Sequence, residues 1–84
     1  MKARWTPENK DLLVRNRVRV ARVEKRLSQQ ELADAIGVTR QTIGLIENER
    51  YNPTITLCLR LGAVLEQSLN DLFWLEEDSH ENRS

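Results

Sequence analysis

Apolar residues recur along most of this chain at helical spacing. Over 30–36, Leu32, Ala33 and Ile36 fall at i, i+1 and i+4, the stripe of a short amphipathic helix. Ser28 precedes that stripe and Glu31 stands three residues on, so Ser-x-x-Glu predicts a capping box. Gly37 ends the helix, because the position after its last turn takes a left-handed φ that only glycine adopts without penalty. Val38 plugs the turn. Thr39 caps a second helix reaching Asn48, with Ile43, Ile46 and partly Thr42 turned inward. Upstream, Asn16 to Arg26 predicts a helix with Val18, Ala21 and Arg22 on one face. Arg22 is unusual there, since charges are rarely buried unless paired. Val20 and Val23 fall off that face, as scattered surface residues or part of a contact surface. Downstream, Thr54 caps a helix from Ile55 to Leu65, and Ser68 with Asp71 caps a short one from Leu69 to Phe73, where Leu72 completes the core. The runs Leu12-Leu13-Val14 and Leu72-Phe73-Trp74-Leu75 are too short for periodicity to assign.

The helix from Ile55 carries two stripes: Ile55, Cys58, Leu59, Gly62 and Leu65 on one side, Leu57, Leu61 and Val64 on the other. A chain of 84 residues has room for one small core and little to cover a second stripe. A two-fold homodimer is the expected remedy. Leu57, Leu61 and Val64 then form its face, with Phe73, Trp74 and Leu75 extending it and Gly62 allowing close helix approach. The alternative is that the stripe folds under the N-terminal segment of the same chain.

Two short helices joined by a tight glycine turn describe a helix-turn-helix. The outward residues of its second helix carry the chemistry. Thr39, Arg40 and Gln41 stand at its start, with Gly44 and Leu45 one turn later. Arginine can bond two acceptors on a guanine edge, glutamine can do the same on adenine, and leucine or threonine can touch a thymine methyl. A recognition helix presents its N-terminal residues to the major groove. The plainer alternative, a solvated helix face, does not account for the capped partner helix and the turn.

The run SQQELADAIGVTRQTIGLIENERYNPT resembles the Cro and lambda-repressor-like helix-turn-helix family, also called Xre. The resemblance covers about residues 14 to 75 and is specific from Leu27 to Pro53. It implies an all-α, five-helix DNA-binding domain with the helix from Thr39 in the major groove of double-stranded DNA. It implies that Gln29 reaches a base or a phosphate, and that Arg22 and Glu47 form a partly buried ion pair. Loop groups around Asn48 to Pro53 would contact phosphates, Arg50 through charge and Asn52 through a hydrogen bond. Tyr51 either packs on that loop or stands free. Some small members pair their ends as an antiparallel ribbon, which here would join Leu12–Arg15 to Trp74–Glu76; otherwise both runs are helix ends. Two positions depart from the family: Glu49 stands where glycine or asparagine is usual, unless Asn48 takes the turn, and Leu45 stands where a polar residue is commoner.

Charge changes the picture only in part. The chain has 13 basic and 13 acidic residues and no net charge, which counts against a nucleic-acid binder. The distribution is uneven. Lys2, Arg4, Lys10, Arg15, Arg17, Arg19, Arg22, Lys25 and Arg26 face only Glu8, Asp11 and Glu24 up to Leu27. From Glu66 onward, Glu66, Asp71, Glu76, Glu77, Asp78 and Glu81 face Arg83 alone. A positive face with weak non-specific DNA binding is expected. The division expected is an N-terminal extension over 1–11, where Thr6-Pro7-Glu8 could open a turn and Trp5 has no assigned role. A domain over 12–76 and an acidic disordered tail over 77–84 follow.

Cys58 lies on an apolar stripe and reads as a small buried hydrophobe. With His80 the sole histidine, no metal set, cofactor site or catalytic pairing emerges, and no small-molecule ligand is evident. No segment resembles a membrane span or signal peptide, and a cytoplasmic location is expected. The leading expectation is a dimeric transcriptional repressor on a partly palindromic operator. The alternative is an antitoxin or other partner-binding module using the two tails. An enzyme finds no support.

Overall fold

The computed structural model describes residues 12–77. The expected extension with Trp5, and the tail past Glu77, lie outside the described residues. Seven elements follow in order: β1 (Leu12–Asn16), α1 (Val18–Glu24), α2 (Gln29–Ile36), α3 (Arg40–Glu47), α4 (Ile55–Leu65), α5 (Leu69–Leu72) and β2 (Phe73–Glu77).

Hydroxyl caps start four of the helices. Ser28 accepts from the Glu31 N–H, Thr39 from Thr42, Thr54 from Leu57 and Ser68 from Asp71. Each contributes about 1 kcal/mol. The Ser28 N–H donates back to Glu31 at 2.8 Å and closes the capping box. α1 begins differently: the Asn16 Oδ1 accepts from the Val18 N–H at 3.0 Å. Asn16 itself belongs to β1, so α1 is shorter than the expected Asn16–Arg26.

α1 to α4 share one ending. The residue past the last turn is left-handed, and the next N–H reaches the carbonyl five residues back. These bonds are Leu27 to Arg22 (3.1 Å), Val38 to Ala33 (3.0 Å), Arg50 to Leu45 (2.9 Å) and Gln67 to Gly62 (3.0 Å). The left-handed residues are Arg26, Gly37, Glu49 and Glu66, with φ of 60°, 80°, 62° and 58°. A Cβ there costs about 1–2 kcal/mol. Two of the three non-glycines are engaged through their side chains. The Glu49 carboxylate accepts from Arg15 Nε at 2.9 Å and from the Asn16 N–H at 3.3 Å. Glu66 pairs with Lys25. Arg26 has no side-chain bond among the described residues. Glu49 takes the turn itself, and Asn48 keeps a φ of −89°.

The core draws on all five helices: Val18, Ala21, Leu32, Ala33, Ile36, Ile43, Ile46, Leu61, Leu65 and Leu72. Burying each large side chain contributes about 1.5–3 kcal/mol. α4 corrects the sequence reading. Its bounds are as expected, but its inward face is Leu57, Cys58, Leu61, Val64 and Leu65, at i, i+1, i+4, i+7 and i+8. Leu61 is 0% exposed and cannot belong to a dimer face. Leu57 and Val64 are half-buried against the core. Ile55 and Leu59, expected inside, are 63% and 59% exposed. Apolar residues surround this helix, so spacing alone allows either rotation and packing against α2 and α1 decides. Gly62 is also reassigned. A Cβ there would lie 2.8 Å from the backbone oxygen of Gln67, so the α4–α5 turn requires the glycine.

β1 and β2 pair antiparallel. Leu12 faces Glu77, Leu13 Glu76, Val14 Leu75, Arg15 Trp74 and Asn16 Phe73. β1 runs one residue further than expected, to Asn16, and β2 is one residue longer at each end. Phe73 leaves α5 for the strand at φ −132°, so the fold is mostly helical with a small two-stranded sheet rather than purely α. The Arg17 N–H donates to the Leu72 carbonyl at 3.0 Å and ties the ribbon's base to α5. Cys58 is buried, and desolvation pushes its thiol pKa up.

Candidate nucleic-acid interface

Gly37 and the two caps turn α3 out of α2 so that Ile43 and Ile46 enter the core. Arg40, Gln41 and Leu45 are left on the surface. Gln41 makes no side-chain bond among the described residues. The Arg40 Nη1 donates to Gln29 Oε1 at 3.2 Å. Gln29, at the start of α2, also donates from Nε2 to Glu47 Oε1 at 3.1 Å. Gly44 lies beneath that amide: a Cβ there would sit 3.9 Å from Nε2. Gln29, Arg40 and Gly44 therefore form one cluster. The Thr39 hydroxyl accepts from the Thr42 N–H at 3.2 Å and lies 3.1 Å from the Thr42 hydroxyl.

Glu47 anchors the other end of α3. Its side chain is 0% exposed, and Arg22 beside it is 13% exposed. Arg22 Nε donates to Glu47 Oε2 at 2.7 Å, while Arg22 Nη1 donates to the Leu27 carbonyl at 2.8 Å. Arg19 adds a bond from Nε to Glu47 Oε1 at 3.3 Å and another from Nη2 to Asn48 Oδ1 at 3.1 Å. Burial pushes the Glu47 carboxyl pKa upward. The bonds from Arg22, Gln29 and Arg19, with the Arg22 charge, outweigh that, and the pKa lies below the usual carboxylate value.

Arg50 and Asn52 are exposed in the loop past α3. Eight residues make α3 about 12 Å long, so the two sit roughly a helix length from Arg40. Asn52 lines a small hollow with Leu13, Val14, Arg15 and Glu49. Tyr51 stands exposed rather than packed.

Of the basic residues expected to form a positive face, those among the described residues are largely neutralised within the domain, and Lys2, Arg4 and Lys10 lie outside the described residues. Arg15 pairs with Glu49 and Glu76, both at 2.9 Å, and Arg17 with Glu24 at 3.4 Å. Arg19 and Arg22 share Glu47, and Lys25 holds Glu66. Among the described residues, Arg26, Arg40, Arg50 and Arg60 alone lack an acidic partner. Arg60 instead donates to the Ile36 carbonyl at 3.2 Å, closing the end of α2.

Sequence reasoning did not find Arg19, Asn16 or Arg60. Arg19 lies at i−3 from Arg22, a spacing that puts both on one helix face and could have flagged it. Asn16 Nδ2 donates to the Ile46 carbonyl at 3.0 Å, which ties the ribbon to the end of α3. No local signal announces that contact.

The helix-turn-helix family model matches residues 18–72 of this chain, from α1 to the end of α5. An uncharacterised HTH-type transcriptional regulator of Bacillus subtilis, YgzD, is 36% identical over 66 residues, covering 79% of this chain and all of that protein. One from Methanothermobacter thermautotrophicus is 42% identical over 66 residues, covering 77% of this chain and 96% of that protein. Among solved structures, the restriction-modification controller protein C.AhdI of Aeromonas hydrophila superposes with a TM-score of 0.60 at 30% identity, over 64% of this chain and 78% of that one. The chain belongs to the Xre/Cro-like helix-turn-helix family. No helix among the described residues is long and apolar enough to cross a membrane.

Proposed function

We propose that this protein is a sequence-specific double-stranded DNA-binding transcriptional regulator, acting as a repressor. The observation that carries the reading is the start of α3, where Arg40 and Gln41 stand exposed on a helix held rigidly by its buried end. Both side chains suit base edges in the major groove. The relatives' names as transcriptional regulators support the same class. Leu45 adds an apolar contact for a thymine methyl, and Arg50 and Asn52 hold phosphates.

The protein works as a homodimer on a partly palindromic operator. With Leu61 in the core, the dimer face moves to the ribbon side. Val14, Leu69, Phe73, Trp74 and Leu75 line an open hollow of about 340 Å³ there, with Val14, Trp74 and Leu75 exposed. A dimer on such an operator places its two recognition helices about one DNA turn apart. Repression then needs no ligand domain or cofactor, only occupancy of a promoter. The same apolar ribbon face supports the second reading, a partner protein such as a toxin docked in place of the second copy.

Selection of bound sequences from random duplex DNA, at two salt concentrations, tests the reading. An enriched inverted repeat with half-sites about one turn apart is expected. Binding that responds to salt but not to sequence would refute it.

A further inference from the structure

Arg15 lies beside the loop past α3. It lines one hollow with Glu49 and Asn52, and Arg50 follows Glu49 directly. Its Nε donates to Glu49 Oε2 and its Nη1 to Glu76 Oε2, both at 2.9 Å, which leaves Nη2 without a bond among the described residues. Arg15 is partly exposed and both carboxylates stand at the surface. The bond to Glu49, then the charges of Glu49 and Glu76, push the Arg15 pKa up. Together the three groups carry one net negative charge. Folding alone does not account for Glu49. Its φ of 62° carries a steric penalty that glycine would avoid. The end of α3 is also held without its side chain: the Arg50 N–H donates to the Leu45 carbonyl at 2.9 Å, and Asn16 Nδ2 to the Ile46 carbonyl at 3.0 Å. What the carboxylate adds is its grip on β1, through Arg15 Nε and the Asn16 N–H.

We propose that Glu49 and Glu76 occupy the Arg15 guanidinium in place of a DNA phosphate, and so withhold one backbone contact from each domain. A guanidinium meets a carboxylate and a phosphate through the same N–H donors, so the two anions compete for it. A phosphate contact adds affinity for any sequence and carries no base information. With that contact withheld, binding depends more on the bases under α3 and on two domains acting together. The inference rests on the proposed contact of Arg50 and Asn52 with phosphates, which sets the DNA backbone next to the hollow.

Glu49→Gly with Glu76→Gln releases Arg15 and leaves the outward face of α3 untouched. This released protein, and the same protein with Arg15→Gln added, are titrated on random-sequence duplex and on the selected operator between about 50 and 200 mM salt. Urea unfolding checks that each variant folds. The released protein should bind about tenfold tighter at the lowest salt for each domain bound, with a log–log salt slope steeper by about 0.9 per domain. Its base preferences should stay as in wild type. Adding Arg15→Gln should return the slope to the wild-type value. Glu49→Gln alone, which keeps the side chain and removes its charge, should move affinity in the same direction as the full release. Weaker binding by the released protein would mean that the clasp shapes the loop for DNA, and would overturn the inference. A gain that persists with Arg15→Gln would assign the effect to lost acidic charge alone, and would overturn it too. If wild type selects no operator, the functional reading fails first. If it selects one and the released protein binds as wild type does, only the withheld contact fails.

Discussion

Arg22→Ala tests how the reading helix is held. The substitution removes the bonds from Nε to Glu47 at 2.7 Å, from Nη2 to Glu47 at 3.4 Å, and from Nη1 to the Leu27 carbonyl at 2.8 Å. It leaves the Glu47 carboxylate buried. Breaking one side of a buried pair costs about 3–5 kcal/mol. Glu47 keeps the Gln29 bond and the longer one from Arg19, whose side chain is 56% exposed. That sets the expected loss near the lower end, about 3 kcal/mol. For a domain of this size each 1 kcal/mol shifts the melting point by roughly 4–8 °C, so the drop should exceed about 10 °C. Thermal and urea unfolding followed by circular dichroism read both quantities. The loss should also depend on pH. The Glu47 pKa is depressed in the folded state, so its contribution is present above the unfolded value of about 4.3 and disappears as pH falls through the folded value. Wild type and Arg22→Ala should therefore converge in acid. A loss under about 1 kcal/mol at pH 7, the range of exposed pairs, would refute the reasoning.

Other perturbations follow from the helix ends and from α4. Arg26→Gly should stabilise by about 1 kcal/mol in urea unfolding, since it relieves a left-handed Cβ and removes no side-chain bond among the described residues. Gly62→Ala should destabilise by roughly 1–3 kcal/mol in the same assay, because the new methyl meets the backbone oxygen of Gln67. Leu61→Ala should cost about 2–5 kcal/mol and Leu59→Ala no more than about 0.5, and the reverse order would place the wrong face of α4 in the core.

The parts of this fold legible in the sequence are those set by neighbours a few residues apart. Ser28 with Glu31, Thr39, Thr54 and Ser68 each announce a helix start, and Gly37 announces the turn, because each acts through backbone groups within one helical turn. The bounds of α4 follow in the same way, but its rotation does not. Ile55 and Leu59 compete with Leu57, Leu61 and Val64 on hydrophobicity alone, and only α1 and α2 packing against the helix separate them. The end ribbon and the pairing of Arg22 with Glu47 came from likeness to a family rather than from spacing. The neutralised arginines were illegible because their partners are distant in the chain. Arg15 meets Glu49 and Glu76, and Lys25 meets Glu66, across 34, 61 and 41 residues. Counting charges by segment therefore misses that Arg15 and Lys25 are neutralised by those pairs. In the site, exposure of Arg40 and Gln41 follows from the stripe opposite them, whereas the bonds that engage Gln29 depend on α2 and α3 meeting.

The central claim, that Arg40 and Gln41 read bases, is tested most directly by running the random-duplex selection with wild type and with the Arg40→Ala, Gln41→Ala double variant side by side. Circular dichroism of both proteins accompanies it. Both residues are exposed, so the variant should fold as wild type does. Wild type should enrich a defined inverted repeat. The variant should bind with similar salt sensitivity but lose base preference at the positions under α3. The same motif enriched by both proteins would contradict the claim and move recognition to another part of the molecule.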